Sequence, residues 1–575
     1  MLNKKLKFIL TNITSLIIIG LVVFSKSPVS AGTIIISLSD PKLCNRVYLP
    51  MIVNGNGNPD DKAPLGLAPP PEPQGKVDCQ TFADFNNDGY DDLVVGVPRE
   101  NISEITDAGA INVVLGSQDR LTGTGSQFWH RDTSGIVDTA ESNDRWGEVL
   151  ATGDFDGDGY TDVAVGSPLD DIDNPDDNAG SVHILYGGAS GLVTRDDVVF
   201  SQGNLIGAVE TGDQFASALA AGDFNGDGYD DLAVGSPDES VGALADAGAI
   251  NIIFGSAVGL TTASNFIIVE DDFGFLGVSQ ENDRFATSLA AADFDRDGDD
   301  DLAVGVPNQF LGAGLEEGGA VFVINGSANG PDVTDTQLWS QILLDGTEEN
   351  GDRFGQQLTT GDFNGDSYTD LAIGSPFEDV GAIADAGAVN IIFGSNAGLT
   401  LTGNQIIDPN NADFGATLGP GAGYHFGWDI TAGDYDGDGY ADLAVGIPHQ
   451  DLGIGPVTDQ AGAAFIMFGG PSGVKTTEFQ FLAQNNISIE GTSKEYDLFG
   501  WAVSTGDYNG DGYADLAVGT IQDDDVDAVA NAGSVTVFYG WEEGVHSGFE
   551  QMWSQNSSNV PDSAEVGDLF GYALP

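Results

Sequence analysis

The stretch Asp223-Phe224-Asn225-Gly226-Asp227-Gly228-Tyr229-Asp230-Asp231-Leu232 decides the fold of this chain, since it returns six more times with its oxygen-bearing positions kept. Counted from Asp223, carboxylate or amide side chains stand at positions 1, 3, 5 and 9, which suits a hard cation that takes about six to eight oxygen ligands. Glycine at position 6 permits the positive φ of a sharp turn, and the carbonyl of position 7 adds a ligand. The spacing therefore predicts a calcium site in every copy, called here a cation loop.

The predicted metal ligands are the residues at positions 1, 3, 5, 7 and 9 of the seven cation loops, with position 7 contributing its carbonyl oxygen. They are Asp84, Asn86, Asp88, Tyr90, Asp92, Asp154, Asp156, Asp158, Tyr160, Asp162, Asp223, Asn225, Asp227, Tyr229, Asp231, Asp293, Asp295, Asp297, Asp299, Asp301, Asp362, Asn364, Asp366, Tyr368, Asp370, Asp434, Asp436, Asp438, Tyr440, Asp442, Asp507, Asn509, Asp511, Tyr513 and Asp515. We expect up to seven structural Ca²⁺ ions, because each loop crowds several carboxylates whose mutual repulsion a bound dication relieves.

The loops begin 69 to 73 residues apart, at Asp84, Asp154, Asp223, Asp293, Asp362, Asp434 and Asp507. In the unit that holds the third loop, we predict strands over Phe215–Phe224, Leu232–Gly235, Ala249–Gly255 and Phe266–Val269. Four short antiparallel strands per unit, repeated seven times without helical periodicity, are typical of a β-propeller. The sequence thus predicts an all-β, seven-bladed propeller over residues 76–575.

The N-terminal part has a different composition. Residues 1–31 combine a basic start, a largely apolar run and small residues for cleavage, which predicts a secretory signal peptide; an uncleaved membrane anchor is the alternative. Residues 32–75 form an N-terminal segment with a Gly-, Pro- and Asp-rich linker. Cys44 and Cys79 permit one disulfide, or they are two unpaired thiols. We expect a mature chain that is secreted or held at the cell surface.

The charge of the chain excludes two classes of partner. There are 89 Asp and Glu residues against 18 Lys and Arg residues, so the formal net charge is −71, and cleavage after residue 31 would remove four lysines and bring it to −75. A surface this acidic repels nucleic acid and anionic membranes. We expect the partner to be an extracellular protein or a glycan.

Two further steps recur around the cation loops. An aromatic residue followed by glycine precedes the loop, and Gly-Xaa-Pro follows it. The first step is Phe354-Gly355, Phe426-Gly427, Phe499-Gly500 and Phe570-Gly571, and it is altered at Trp146-Gly147, Phe215-Ala216 and Phe285-Ala286. The second step begins at Gly96, Gly166, Gly235, Gly305, Gly374 and Gly446, and it is lost at Gly519-Thr520-Ile521.

With these motifs, the chain resembles the FG-GAP repeats that build the seven-bladed propeller of integrin α subunits and of bacterial exported proteins made of the same repeat. The resemblance covers about residues 77–575 and implies a calcium-binding extracellular binding or adhesion module. No later membrane span, inserted adhesion domain or leg domain is found, so the resemblance implies the module and not the receptor.

Two loops depart from the pattern. In the fifth, Ser367 replaces the turn glycine and must adopt a left-handed conformation, so we expect weaker calcium binding there. In the fourth, Asp299 replaces the tyrosine at position 7, where only the carbonyl is needed, so binding should survive.

The sequence assigns no catalytic residue. The histidines His130, His183, His425, His449 and His546 are assigned to different repeats without a metal-ligand spacing, and no Gly-x-Ser-x-Gly elbow occurs. Carboxylates are so abundant that a glycosidase-type pair stays open, and a pair with perturbed pKa on one face would favour it. The alternative function is therefore a propeller-borne hydrolase or lyase acting on extracellular polysaccharide or phospholipid.

The aromatic residues at position 2 of the loops recur without exception, which predicts packing between blades. They are Phe85, Phe155, Phe224, Phe294, Phe363, Tyr435 and Tyr508. The tryptophans Trp129, Trp339, Trp501, Trp541 and Trp553 recur less strictly, and we expect them in the core as well.

Two expectations concern the assembled ring. Connections between strands two and three vary most along the chain, so we expect partners to bind on the face opposite the cation loops. The position eight residues before Asp84 is Lys76, which carries no FG step, whereas Phe570-Gly571 has no loop behind it. We therefore expect the C-terminal strand to dock into the first blade and close the ring. The alternative is that Val77–Ala83 forms this strand alone and the C-terminus is a fragment of an eighth unit.

Overall fold

A computed structural model describes residues 83–575, except 173–177, 275–277, 311–316, 345, 347–348, 415–420, 454–459, 485–492 and 525–528. The predicted signal peptide, the linker, the Cys44–Cys79 pair and Lys76 lie outside the described residues. Parts of the varied connections between strands two and three lie outside them too.

The described chain is all-β and forms seven antiparallel sheets, each with its strands hydrogen-bonded in chain order. Each sheet is one blade of the predicted seven-bladed propeller, which is confirmed. The first blade shows three strands and the other six show four. In chain order the strands are, for blade 1, β1 (Leu93–Val97), β2 (Ala110–Leu115) and β3 (Thr122–Trp129); for blade 2, β4 (Val149–Gly153), β5 (Asp162–Ser167), β6 (Ser181–Tyr186) and β7 (Val193–Phe200); for blade 3, β8 (Ala218–Gly222), β9 (Asp231–Ser236), β10 (Ala249–Ile253) and β11 (Phe266–Ile268); for blade 4, β12 (Ser288–Ala292), β13 (Asp301–Val306), β14 (Ala320–Ile324) and β15 (Thr336–Trp339); for blade 5, β16 (Gln357–Gly361), β17 (Asp370–Ser375), β18 (Ala388–Phe393) and β19 (Thr400–Ile407); for blade 6, β20 (Asp429–Gly433), β21 (Asp442–Ile447), β22 (Ala463–Met467) and β23 (Phe479–Leu482); and for blade 7, β24 (Phe499–Gly506), β25 (Asp515–Thr520), β26 (Ser534–Trp541) and β27 (Gly544–Trp553).

Two short 3₁₀ helices, Glu270–Phe273 and Gln341–Leu344, follow the last strands of blades 3 and 4. Among the described residues, no helix has the length and apolar character needed to cross a membrane.

The register of each blade places its cation loop at one end of the sheet. In blade 3, Gly222 at the end of β8 is opposite Asp231 at the start of β9, so residues 223–230 are the connection between the two strands. Because successive strands are antiparallel, the connections one-to-two and three-to-four share one face, and the connections two-to-three and four-to-one share the other. All cation loops therefore lie on one face, called here the cation face.

The core lies between neighbouring blades. Phe85 of the first loop packs with Trp146 and Val163 of blade 2, and all three are fully buried. The other aromatic residues at position 2 are buried as well, which confirms that this position serves packing. Adjacent blades are thus fastened by large apolar side chains, whose burial is the main source of stability in such a ring.

The FG and Gly-Xaa-Pro steps meet where two blades touch. Gly147 donates its N–H to the carbonyl of Gly166 at 3.0 Å, within blade 2. A Cβ added at Gly96 would lie 2.2 Å from the carbonyl oxygen of Gly147 in the next blade. No side chain fits in that gap, so the repeated glycine permits the close approach of two backbones.

The C-terminal segment closes the ring on the first blade. Gly571 donates to the carbonyl of Gly96 at 3.3 Å, and Gly96 donates to the carbonyl of Ala573 at 2.9 Å. Phe570 is fully buried and packs with Val95 and Val97 of β1. The expected closure by the C-terminus is confirmed, although Phe570 forms only an isolated β-bridge with Gly533 and no regular strand follows β27 in the described residues. At the other end of β1, Asp92 donates to the carbonyl of Ala83 at 2.6 Å, so both ends of the described chain contribute to blade 1.

Candidate metal centre

Each cation loop is held by the same three internal hydrogen bonds. In the third loop the carboxylate of Asp223 accepts the N–H of Asp227 at 2.9 Å and of Gly228 at 2.8 Å, and the carboxylate of Asp227 accepts the N–H of Tyr229 at 3.2 Å. Equivalent bonds recur in the other six loops. The backbone therefore positions the carboxylates of positions 1 and 5 in the same way seven times.

The carboxylate at position 9 anchors the loop to the sheet. Asp231 is fully buried, and its Oδ1 accepts the N–H of Gly255 at 2.8 Å. The corresponding bond is present in all seven blades. Burial, followed by the charges of Asp223 and Asp227, raises the pKa of Asp231 to about 8. A bound cation would lower this pKa again, because positive charge nearby favours the ionised carboxylate.

Three loops bring side-chain oxygens close enough to share one ion. The second, fourth and sixth loops each place three carboxylate oxygens within 4.8 Å of one another. They come from Asp154, Asp156 and Asp162; from Asp293, Asp295 and Asp297; and from Asp434, Asp436 and Asp442. A donor set made of oxygen atoms alone suits Ca²⁺, so the residues present fit the predicted ion.

In the remaining four loops, position 3 is Asn86, Asn225, Asn364 or Asn509. The amide of Asn225 donates its Nδ2 to a carboxylate oxygen of Asp231 at 3.0 Å, and Asn364 and Asn509 make the same contact at 3.4 Å. Asparagine thus links positions 3 and 9 by a hydrogen bond, where aspartate would add a further negative charge.

Ser367, which replaces the turn glycine at position 6 of the fifth loop, has the predicted left-handed backbone conformation. Ser367 has φ +74°, compared with +88° for Gly228, and its N–H still donates to Asp362 at 2.8 Å. A Cβ at Gly228 would meet nothing within 4 Å. The cost of a side chain at position 6 is therefore the left-handed conformation alone and not a steric clash.

Neighbouring cation loops are joined to one another. The N–H of position 8 donates to the carbonyl of position 1 in the preceding blade, as from Asp230 to Asp154 at 3.2 Å. The ring of Tyr229 lies against Gly157 in the same pair of loops. Position 7, expected to matter only through its carbonyl, therefore also provides contact between loops. At the fourth loop Asp299 takes that place, against Gly226.

Basic side chains approach two of the loops. Arg195 of β7 pairs with Asp156 and with Asp158, the latter at 3.4 Å. Lys475 lies 3.9 Å from Asp438 of the sixth loop. These charges partly offset the repulsion within the second and sixth loops.

A second repeated constellation lies on the face opposite the cation loops. At the junction of two blades it combines three residues: the second residue after the last strand of one blade, the Asp two positions before the FG aromatic of the next blade, and the second residue after the Gly-Xaa-Pro step of that next blade. We call this a junction triad. Between blades 4 and 5 it is Gln341, Asp352 and Glu378, in which the Gln341 amide donates to the Glu378 carboxylate. The equivalent triads are Arg131, Asp144 and Asp170; Gln202, Asp213 and Glu239; Glu270, Asp283 and Gln309; Gln484, Asp497 and Asp523; and Gln555, Asp568 and Glu100.

Each junction triad brings two acids together away from water. Burial and the charge of Asp352 raise the pKa of Glu378 to about 8, and burial and Asp568 raise that of Glu100 to about 9. Glu378 and Glu100 therefore hold a proton at neutral pH. These pairs were not predicted from the sequence, although Asp two positions before the FG aromatic recurs in six of the seven steps and was a usable signal.

The junction of blades 5 and 6 lacks a triad. Pro409, Tyr424 and Gln450 stand at the three positions, and His425 and His449 meet beside them with 3.1 Å between their Nδ1 atoms. The expectation that the histidines are scattered is therefore wrong for this pair, because the two-to-three connection folds back over the start of the same blade. Burial lowers the pKa of both rings to about 4, so they are neutral at physiological pH.

Comparison with known proteins agrees with this geometry. A family model of the FG-GAP repeat matches residues 81–114, 146–185, 215–252, 285–324, 354–391, 426–467 and 499–538. The chain is an FG-GAP repeat protein. Each matched segment of the FG-GAP chain contains one of the seven cation loops.

Curated relatives of this FG-GAP protein are longer chains. It is 31% identical to integrin alpha-PS2 of Drosophila melanogaster over 278 residues, which are 46% of this chain and 18% of that protein. It is 30% identical to the phosphatidylinositol-glycan-specific phospholipase D of Homo sapiens over 222 residues, 38% of this chain and 24% of that enzyme. The FG-GAP chain thus aligns with less than a quarter of either relative.

Among solved structures, the rhamnogalacturonan lyase YesW aligns over 84% of this chain and 80% of its own, with 12% sequence identity and a TM-score of 0.33. A likeness this weak carries no argument about function.

Proposed function

We propose that this FG-GAP propeller is an exported, calcium-loaded module that binds an extracellular protein or glycan. The observation that carries the proposal is the set of seven cation loops with one repeated geometry, each linked to the next. An export leader predicted in residues 1–31 and the similarity to an integrin α chain support a place outside the cell. The strong negative charge supports a role that does not involve nucleic acid.

Calcium is the proposed ion because the loops offer oxygen ligands on flexible side chains around a backbone turn. Side chains at positions 1, 3, 5 and 9 and the carbonyl of position 7 would hold it. When bound, the ion would supply the positive charge that these carboxylates lack. Magnesium fits less well, since it demands a nearly ideal octahedron and keeps several of its waters.

The alternative of a hydrolase or lyase needs a carboxylate pair that a substrate can reach. In the part of the chain that the structure describes, acids with raised pKa lie in the cation loops and in the junction triads. The loops are the proposed calcium sites, which leaves the triads as the candidate catalytic pairs. They repeat at six junctions, and Glu100 and Asp568 are 2% and 0% exposed. Repetition and burial favour a role in fastening blades, so we retain the binding module as the proposal.

Arrays of glycans and matrix proteins test the proposal directly. The mature chain is applied in calcium, in magnesium alone, and with a chelator, and retained protein is measured beside release of soluble saccharide or lipid fragments. We expect retention in calcium that falls without it, and no release with time. Absence of any retained ligand would count against a binding module, and steady release would favour the enzyme.

A further inference from the structure

A cavity of about 590 Å³ lies between blades 7 and 1. Its walls include Asn509 and Asp511 of the seventh cation loop, Trp541 at the turn between β26 and β27, and Gln118 and Arg120 between β2 and β3. All of these belong to one-to-two or three-to-four connections. The cavity is therefore on the cation face, whereas the sequence analysis favoured the opposite face for a partner.

Aromatic rings form one continuous side of this cavity. Trp541 is 36% exposed and Phe549 is 52% exposed. The ring of His546 lies between them, with its centroid 5.1 Å from Trp541 and 4.5 Å from Phe549. Trp541 was expected in the core, but as the last residue of the outward β26 it faces solvent. Exposed rings in a row beside polar groups are typical of a ligand site.

The charges around the cavity exclude two kinds of ligand. The guanidinium of Arg120 lies 4.7 Å from the ring centroid of Tyr539 and 5.1 Å from that of Phe549, and it donates to the carbonyl of Phe549. It thus covers one face of each of these two rings and adds positive charge beside the other faces, which disfavours a quaternary ammonium there. Asp511 and the net charge of −71 repel a polyanion.

A ligand that is uncharged, has an apolar face and carries hydroxyl groups at its edge satisfies these constraints. We propose that the cavity binds a neutral pyranose unit of a glycan, with its C–H face on Trp541 and Phe549 and its hydroxyls toward Asp511, Gln118 and Arg120. The volume falls in the range of about 300 to 1,000 Å³ found for small-molecule sites. Because Asp511 is also a predicted ligand of the seventh loop, calcium bound there would fix one wall of the site.

This inference rests on the proposed function, since it names a ligand class for the binding module. The test uses the full mature chain in calcium, titrated calorimetrically with the methyl glycosides of glucose, galactose and mannose. Galacturonic acid and tetramethylammonium serve as charged comparators. We expect at least one neutral glycoside to bind, both comparators to fail, and Trp541→Ala or Phe549→Ala to weaken binding about tenfold.

Tyr496→Ala is the matched control, because Tyr496 is 46% exposed and lies in a four-to-one connection on the opposite face. It should leave binding unchanged, and melting temperatures verify that all variants fold. Equal loss in Tyr496→Ala, preference for a charged comparator, or no binding of any neutral glycoside overturns the inference. Array binding that survives Trp541→Ala and Phe549→Ala overturns it too, while the proposed module stands. The module fails only if the wild-type chain retains nothing on the arrays.

Discussion

The main-chain N–H of Asp507 donates to the carboxylate of Asp91 at 2.6 Å, and the N–H of Asp91 donates back to the carbonyl of Asp507 at 3.1 Å. The two residues are 416 positions apart. Their reciprocal bonds join the seventh cation loop to the first and complete the chain of contacts around the ring. Aspartate at position 8 accepts the same bond elsewhere in the ring: the N–H of Asp154 donates to the carboxylate of Asp230, and the N–H of Asp223 donates to that of Asp300.

Replacing Asp91 should weaken the closure. In Asp91→Ala the N–H of Asp507 loses its acceptor, so we expect the free energy of unfolding to fall by about 1 to 3 kcal/mol. Asp91→Asn keeps an acceptor and should stay near wild type. Chemical denaturation measures both, with Asp300→Ala as a control for the same bond away from the closure. Equal stability of the alanine and asparagine variants would contradict the role of this bond.

Removing the C-terminal segment should have a larger effect. Deleting Asp568–Pro575 removes the buried Phe570 and both main-chain bonds to Gly96 and leaves a strand edge open. Phe570→Ala alone should cost about 3 to 5 kcal/mol, and the deletion should lower the melting temperature further and produce oligomers in size-exclusion chromatography. A monodisperse product with an unchanged melting temperature would show that closure does not depend on this segment.

Removal of calcium should destabilise the whole propeller. At a tenfold excess over its dissociation constant, one site stabilises the folded state by about 1.4 kcal/mol, so seven independent sites could contribute on the order of 10 kcal/mol. We expect a chelator to lower the melting temperature by many degrees and calcium, more than magnesium, to restore it. The same melting temperature with and without chelator would mean that the loops are not structural calcium sites.

The serine and the glycine at position 6 can be exchanged between the fifth and seventh loops. Ser367→Gly removes a left-handed side-chain cost of about 1 to 2 kcal/mol, so calcium affinity of that loop should rise about five- to thirtyfold. Gly512→Ser in the seventh loop should lower affinity by a similar factor, since Gly512 has φ +91°. Calcium titration of the intact chain measures both effects, because each variant changes the number of weak sites by one. Unchanged titration curves would show that the left-handed conformation at position 6 does not affect calcium affinity.

The junction triads predict a dependence of stability on pH. Burial, with the charge of Asp352, raises the pKa of Glu378 to about 8 from an ordinary value of 4.5, so the folded state keeps a proton that the unfolded state has released. The stabilisation from this group is complete below pH 4.5 and is lost as pH rises through about 8. Each such proton changes the free energy of unfolding by up to about 1.4 kcal/mol per pH unit.

Glu378→Gln should therefore flatten this slope between pH 5 and 8, measured by denaturation in saturating calcium. The exposed Glu317→Gln is the matched control and should leave the slope as in wild type. A slope equally steep in both variants would show that the Glu378 proton is not retained in the folded state.

The sequence predicted the parts that repeat in one continuous stretch. The cation loop, its apolar following strand and the FG step each lie within a few residues, so the blade count and the buried position 2 could be found by alignment of the chain with itself. The same alignment shows the recurring Asp of the junction triads, here Asp352. It does not show that Gln341 and Glu378 meet this Asp, because the three residues come from separate segments of two blades. The cavity beside Trp541 depends on the closure that brings residues of blade 1 to blade 7, which no local pattern contains.

Blade 1 also has a mechanical consequence. Ala83 and Ala573 bond to the two ends of the segment Asp92–Gly96, so the first and last described parts of the chain are both hydrogen-bonded to the same blade. Tension between them would be carried as shear across the few hydrogen bonds of that blade, and the other six blades would bear no load. Under such tension the propeller should keep its shape until the hydrogen bonds of blade 1 break together.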